Sequence, residues 1–352
     1  MKNKKIIKKN QDQKKMRRSL YFKNKKRLDH KCCRPRCLAK NTKETIKYSF
    51  VKAPEIFSLI KNENEVLKFI GIIQKKYENR TPVFVNMDNV KELGNGAILL
   101  LLANMIRFLT SNISFNGSKP QDPILRKKLE NSGFFKHLYK HNIKKQENYD
   151  VGKLNNIIYT HAQKEVDSSL ADKIIEEASQ IVWAEKRRCP GIQRTLVELM
   201  HNTNNHAGQY PGEKHWWISS NKNIEKKMVT ISFMDFGKGI FDSLNNKKPG
   251  DRFYGWEKYF SQIFPWVQSN NEILRLILQG HLHKTTTGDS FRGKGLPGIY
   301  NAFMNKRIGK LIIISNGVYA DVENNDFHMM KFNLKGTFVS CEINENIKNL
   351  KW

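Results

Sequence analysis

TLVELMHNTNNHAG, residues 195–208, is the segment around which the rest of this 352-residue chain can be arranged. Glu198 and Asn202 are four positions apart, so on a helix they share one face, one turn above the other. Leu196, Val197, Leu199 and Met200 supply apolar side chains for the opposite side. A carboxylate and a carboxamide aimed at one spot suit the activation of a water molecule and the holding of a magnesium ion. Three glycine-containing segments follow in order: MDFGKGI at 234–240, RGKGLPGIY at 292–300 and KGTFVSCEI at 335–343. Upstream of Gly237 and Gly239, Val229, Ile231 and Phe233 alternate. That predicts a strand running into a turn where backbone can approach a ligand closely. In RGKGLPGIY the glycines precede a helix, whose exposed N–H groups favour phosphate oxygens. Arg292 and Lys294 add positive charge at the same place.

In this order and at these spacings the four segments resemble the N box and the three glycine boxes of the GHKL ATPase superfamily. That superfamily includes DNA gyrase, MutL, ATP-dependent heat-shock chaperones, histidine kinases and anti-sigma-factor kinases. The resemblance covers residues 170–345 and implies a Bergerat-type two-layer α/β sandwich. In that fold a helical layer covers one face of a mixed sheet, and ATP lies between them under a mobile lid. The implied cofactors are ATP and Mg2+. Carried over by position, Glu198 is the general base for the attacking water and Asn202 the magnesium ligand. Asp235 accepts a hydrogen bond from the adenine amino group, in the turn formed with Gly237 and Gly239. Arg292, Gly293, Lys294, Gly295, Leu296 and Gly298 form the phosphate-binding lid, and Thr337 sits near the adenine ring. His206 and Ala207 match the N-box variant of anti-sigma-factor kinases, although a helix-terminal histidine needs no chemical role. The family pattern places Gly directly after Gly-x-Gly-Leu. Here Pro297 precedes Gly298, which changes the expected lid conformation. Asp235-Phe236-Gly237 also matches a protein-kinase tripeptide, but no Val-Ala-Ile-Lys strand or His-Arg-Asp loop accompanies it.

The preceding half has its own pattern. Val66, Phe69, Ile70 and Ile73 have helical spacing within 65–77. VFVNM at 83–87 reads as a strand, and 97–109 is apolar on most sides, as a buried helix should be. A second strand is expected at 112–115, closed by Asn116-Gly117, and a helix from Asp122 to Ser132-Gly133. This order argues for a sheet covered by helices. VFVNM, the turn LGNGA at 93–97 and SGFF at 132–135 resemble a STAS domain, the fold of anti-sigma-factor antagonists. Those antagonists carry a phosphorylatable Ser or Thr in the turn, whereas Leu93-Gly94-Asn95-Gly96-Ala97 offers no hydroxyl. A kinase fused to its own substrate is therefore disfavoured. The expected organisation is a basic, disordered tail over 1–44, a STAS-like α/β domain over 45–140, a linker over 141–167 and the ATP-binding domain over 168–345. Within 168–345, Leu170, Ile174, Ile175, Ala178 and Ile181 mark a helix before the one bearing Glu198. The aromatics of 241–291 are expected to form a small helical core.

Composition narrows the rest. The net charge is +29, and residues 1–40 carry seventeen Lys or Arg against Asp12 and Asp29. Such a tail attracts nucleic acid or any polyanion, or is simply solvated, and both readings stand. His30, Cys32, Cys33 and Cys37 offer zinc-ligating atoms there. Their spacing matches no standard site and no second pair follows, so a metal site is not expected. Five cysteines in a chain this long do not make a disulfide framework, and no apolar run approaches a membrane span, so a cytoplasmic protein is expected. Expected partners are ATP and a protein of unknown identity. A homodimer and nucleic acid bound through the tail remain open. Function is expected to be an Mg-dependent ATPase switch coupled to the STAS-like module. The alternatives are a serine/threonine kinase acting in trans, a nucleic-acid-associated ATPase, and a scaffold with a vestigial site. Intact Glu198, Asn202 and Asp235 disfavour the last, and an active enzyme is favoured. His161 in THAQKE lacks the acidic neighbour of a histidine-kinase phosphoacceptor.

Overall fold

The computed structural model describes residues 46–135, 156–161, 166–206, 216–247, 249, 254–281 and 295–351. The expectations for the tail and its His30, Cys32, Cys33 and Cys37, for 141–155, and for 282–294 lie outside these residues. The chain is mixed α/β with both parallel and antiparallel sheets.

In the first half β1 (Ser49–Lys52), β2 (Ile56–Phe57), α1 (Glu63–Glu78), β3 (Val83–Asn86), β4 (Glu92–Leu93), α2 (Asn95–Thr110), β5 (Phe115–Gly117) and α3 (Pro123–Asn131) succeed one another. Parallel pairing joins β1, β3 and β5 in that spatial order, with Phe50 opposite Phe84 and Phe84 opposite Asn116. α1 buries Val66, Leu67, Phe69, Ile70 and Ile73. Glu63 and Glu65 in its first turn and Lys75 and Lys76 in its last suit the helix dipole. In α2 every residue from Gly96 to Met105 is buried, as its composition demands. Asp122 caps α3 by accepting hydrogen bonds from the Ile124 and Leu125 N–H groups at 2.7 and 3.0 Å, and Pro123 takes the first helical position. One strand is displaced from its expected place. Asn112 adopts a left-handed conformation, φ 55°, so the turn precedes the strand and Asn116-Gly117 belong to β5.

The second half continues with β6 (Asn156–His161), α4 (Ser168–Trp183), β7 (Arg187–Arg188), α5 (Pro190–His206), β8 (Trp216–Asn223), β9 (Met228–Asp235), α6 (Gly239–Asn245), α7 (Trp256–Ile263), α8 (Asn270–Leu278), α9 (Gly295–Met304), β10 (Gly309–Asp321), β11 (Asp326–Ile343) and β12 (Leu350–Lys351). The five-stranded sheet has the order β10-β11-β9-β8-β6. Every pairing in it is antiparallel, which corrects the expectation of a mixed sheet. β6, inside the anticipated linker, pairs with β8 at the sheet edge, and β12 pairs with β7 beyond residue 345.

A larger correction concerns the layers. Alternation along the strands divides the sheet into two buried faces. Trp216, Ile218, Val229, Ile231, Phe233, Leu311, Ile313, Val339 and Cys341 share one core with α4, α5, α8 and α9. Trp217, Met234, Ile312, Ile314, Tyr319, Leu334 and Phe338 share the other with α1 and α2. The sheet is thus covered on both sides, where a two-layer sandwich was expected, and the first half is the second cover. A register row of Ser219, Ser232 and Ser340 crosses the face toward α2, and these small side chains leave room for its leucines. At the start of α2 the approach is closer still. A Cβ on Gly96 would lie 2.6 Å from the fully buried Phe338 ring. The LGNGA turn is therefore pressed onto β11. Among the described residues no helix is long and apolar enough to cross a membrane.

Candidate functional site

α5 begins on Pro190, whose missing N–H costs nothing at a helix start. Ile192, Leu196, Leu199 and Met200 anchor it on the sheet. Its buried hydroxyls are spent within the helix: Thr195 Oγ1 donates to the Gly191 carbonyl at 2.8 Å and Thr203 Oγ1 to that of Leu199 at 3.1 Å. Glu198 and Asn202 are half-buried, on the flank of α5 that its buried apolar residues leave free. α9 lies beside α5. A Cβ on Gly295 would sit 3.2 Å from Asn202 Nδ2, so the first residue of α9 touches the Asn202 carboxamide.

On the same face of the sheet, Asp235 at the end of β9 aligns with Thr337 inside β11 and Ser315 inside β10 in one register row. The Asp235 carboxylate accepts hydrogen bonds from the Gly237 N–H, 2.8 Å away, and from the hydroxyl and N–H of Thr337. Part of its surface still reaches solvent, but protein atoms crowd the carboxyl. Burial pushes its pKa up from 3.8 to about 6, against the lowering effect of those three donors. Gly336 carries a positive φ of 111°, and a Cβ there would fall 2.1 Å from the Asp235 carbonyl oxygen. Only glycine lets β11 pass so close to Asp235 while holding Thr337 beside it.

Two residues that frame this corner were not singled out from sequence. Ser315 Oγ accepts from the Ile240 N–H at 2.9 Å and lies 3.0 Å from the Gly336 carbonyl and 3.2 Å from Thr337 Oγ1. Asn316 accepts from the Phe241 N–H at 3.1 Å and donates to the Lys238 carbonyl at 2.9 Å. Gly239, with φ 77°, is wedged against the Asn316 carboxamide. These contacts occupy two first-turn donors of α6, so its start is braced by β10. The signal was Asn316-Gly317, which reads as a turn dipeptide. Here Asn316 has φ 52° and forms a bulge inside the long β10. Asn316→Ala is expected to leave the Phe241 N–H and Lys238 carbonyl without these partners and to cost about 1–3 kcal/mol in urea unfolding. A cost near zero would mean that water replaces the carboxamide.

The structure therefore brings Asn202 to Gly295, and Asp235 to Gly237 and Thr337, on the side of the sheet where α5 lies. Arg292, Gly293 and Lys294 lie outside the described residues, as does the His206 side chain. Leu296 is half-buried against the apolar clusters of α5 and of Trp256 and Phe260, which makes it a packing residue at the base of α9. Gly298 follows one turn into α9 and is half-buried, with buried Pro297 before it. The aromatics of the insert form the expected small core, with Trp256, Phe260 and Phe264 in successive ring contacts. Comparison of the chain with protein-family models and with curated proteins finds no match. Among the described residues no group of three or more His, Cys, Asp or Glu side chains gathers as a metal site. That leaves the chemistry of the donors themselves. A carboxamide oxygen at Asn202 suits a hard cation that keeps other oxygen ligands and waters, and Asp235 is an acceptor poised for an N–H donor.

Proposed function

We propose that the chain binds Mg–ATP between α5, α9, the end of β9 and the neighbouring part of β11, and that it works as an ATP-driven regulatory switch. In this reading 168–345 is a GHKL-type domain and the first half a STAS-like module. The single observation that carries the proposal is Asp235. It is a crowded carboxylate fixed by Gly237 and Thr337 on the face of the sheet that carries α5, with Glu198 and Asn202. Leaving a carboxylate there is unfavourable for the fold alone, and such perturbed groups cluster at functional sites. Asp235 would accept the adenine amino hydrogen, a bond guanine cannot offer. Asn202 would hold the magnesium ion, which when bound neutralises charge on the phosphate oxygens. Glu198 would take the proton from the water that attacks the γ-phosphorus as the bond to ADP breaks.

Coupling to the first half follows from alternation. Asp235 and Thr337 face the site, whereas Met234, Phe236 and Phe338 pack into the core shared with α1 and α2. A shift of β9 or β11 at this point on nucleotide binding is felt by the LGNGA turn through one layer of side chains. The deciding measurement is calorimetric titration of the full chain with Mg2+ and a non-hydrolysable ATP analogue, with Glu198→Gln measured alongside. Glu198→Gln is expected to keep the affinity of the unmodified protein and to lose at least about 100-fold of its ATP turnover, as general-base removal does. No heat of binding in the unmodified protein would end the proposal.

A further inference from the structure

Parallel sheets are ordinarily covered on both faces. The β1-β3-β5 sheet buries one face, through Val51, Val83 and Val85, and among the described residues no helix covers the other. On the open face Phe50 is 75 % exposed. Its ring lies 5.1 Å from that of half-buried Phe84, and Tyr48 meets Phe84 edge-on at 6.4 Å. Lys52 and Asn86 follow as the next register pair on the same face, and Asn116 lies opposite Phe84 on β5. Among the described residues the side chains on this face are thus three aromatics, one lysine and two carboxamides, with no carboxylate among them. The Oδ1 atoms of Asn86 and Asn116 accept from the neighbouring Asp88 and Gly117 N–H groups, which leaves the two amide groups as outward donors. Around the rim, Glu55 and Glu130 are paired with Lys91 and Lys119 at 2.7 Å each, and Lys47 is exposed. Asp88 stands two positions beyond the end of β3, where its carbonyl accepts from the Gln121 N–H next to Asp122.

A purely apolar docking surface has no use for two amides and a lysine between its rings, and a solvated edge has no use for three clustered aromatics. The combination matches what a splayed single strand requires: rings to stack bases on, amides to reach base edges, and cations for phosphates. We propose that this face is a binding platform for single-stranded nucleic acid, in a chain whose net charge of +29 favours a polyanion. The inference does not rest on the nucleotide site, which lies on the far side of the five-stranded sheet.

The test uses the full chain and labelled RNA and DNA single strands of about a dozen nucleotides, with duplex DNA as control, followed by anisotropy over a salt series. Phe50→Ala is expected to weaken single-strand binding about tenfold, the usual value of one stacked base, without changing the salt slope. Phe50→Tyr should restore affinity. Phe50→Leu, which keeps apolar bulk but not the ring face, should not. Lys52→Ala should reduce the salt slope by about 0.7, one phosphate contact on a single strand. Whichever of RNA and DNA shows the larger loss identifies the natural strand. Because Phe50 is largely exposed, none of these changes should alter thermal stability. Unchanged single-strand affinity in Phe50→Ala would overturn the platform, since the basic tail alone would then account for binding. So would equal rescue by Leu and Tyr, or a change in sedimentation in place of a change in affinity, for these mark a protein-docking face.

Discussion

Phe338→Ala is expected to lower the stability of the folded chain by about 3–5 kcal/mol, the usual cost of emptying a fully buried phenylalanine site. The ring is 0 % exposed and lies in the core shared by β11, α1 and α2. Against a typical total of about 5–15 kcal/mol, that is a large share of the stability. The same ring decides what position 96 can be. Alanine at Gly96 would gain helix propensity, about 1 kcal/mol in isolation. Its Cβ, however, would meet Phe338 Cε2 at 2.6 Å and the Leu59 side chain at 3.1 Å. Overpacking of this kind costs about 1–3 kcal/mol, so Gly96→Ala should be destabilising in the unmodified protein. In the Phe338→Ala background the space is open, and Gly96→Ala should become neutral or stabilising. The pair should therefore deviate from additivity by at least about 1 kcal/mol in a double-mutant cycle read by urea unfolding. Additive costs would mean that the LGNGA turn and β11 are not in contact in solution, and the coupling route between the two halves would go with it.

The elements carrying strong periodicity were legible before any coordinates: α1, α2, α4 and α5 fall where their apolar spacing puts them, and Asp122 caps α3 as its type suggests. What escaped notice shares a physical cause. β1 offers SFVK, a strand of four residues with one buried side chain, too short for alternation to register. β6 and β8 are strands whose identity rests on partners far away in the chain. In β8 both faces are buried, so WWISS shows no alternation at all. The two-layer expectation failed for a different reason. It came from the resemblance, which speaks only for 170–345, whereas the second cover, over the buried serines at 219, 232 and 340, is a helix contributed by the other half. At the candidate site the glycines at 237 and 239 were legible as a turn after a strand, while Gly336 entered only with the resemblance of its segment to the last box. Ser315 and Asn316 were not legible, since their roles exist only once the bulge in β10 meets the start of α6.

Asp235 is where stability and the proposed activity oppose each other most strongly. Its folded-state pKa is raised, from 3.8 to about 6, chiefly by burial. A raised value means the folded state holds the proton more tightly than the unfolded chain. The corresponding stability is therefore fully present below pH 3.8 and is lost as pH rises through 6. The rise corresponds to at most about 3 kcal/mol, and to less once the solvent access of the side chain is allowed for. Asp235→Asn keeps an acceptor for the Gly237 and Thr337 donors but cannot ionise. It should be more stable than the unmodified protein at pH 8 and should show a flatter stability profile between pH 4 and 7. Binding should run the other way. Asp235→Ala removes the carboxylate proposed to accept the adenine amino hydrogen and should weaken Mg–ATP binding about 10- to 100-fold, the worth of a hydrogen bond to a charged group. Discrimination against GTP should shrink with it. In the unmodified protein, ATP affinity should fall on acidification through about pH 6, as the carboxylate takes up a proton, and that dependence should vanish in Asp235→Asn. Calorimetry at pH 5.5 and pH 7.5 on the three proteins separates these effects. An identical pH profile for the unmodified protein and Asp235→Asn would remove Asp235 from the site, whatever else binds there.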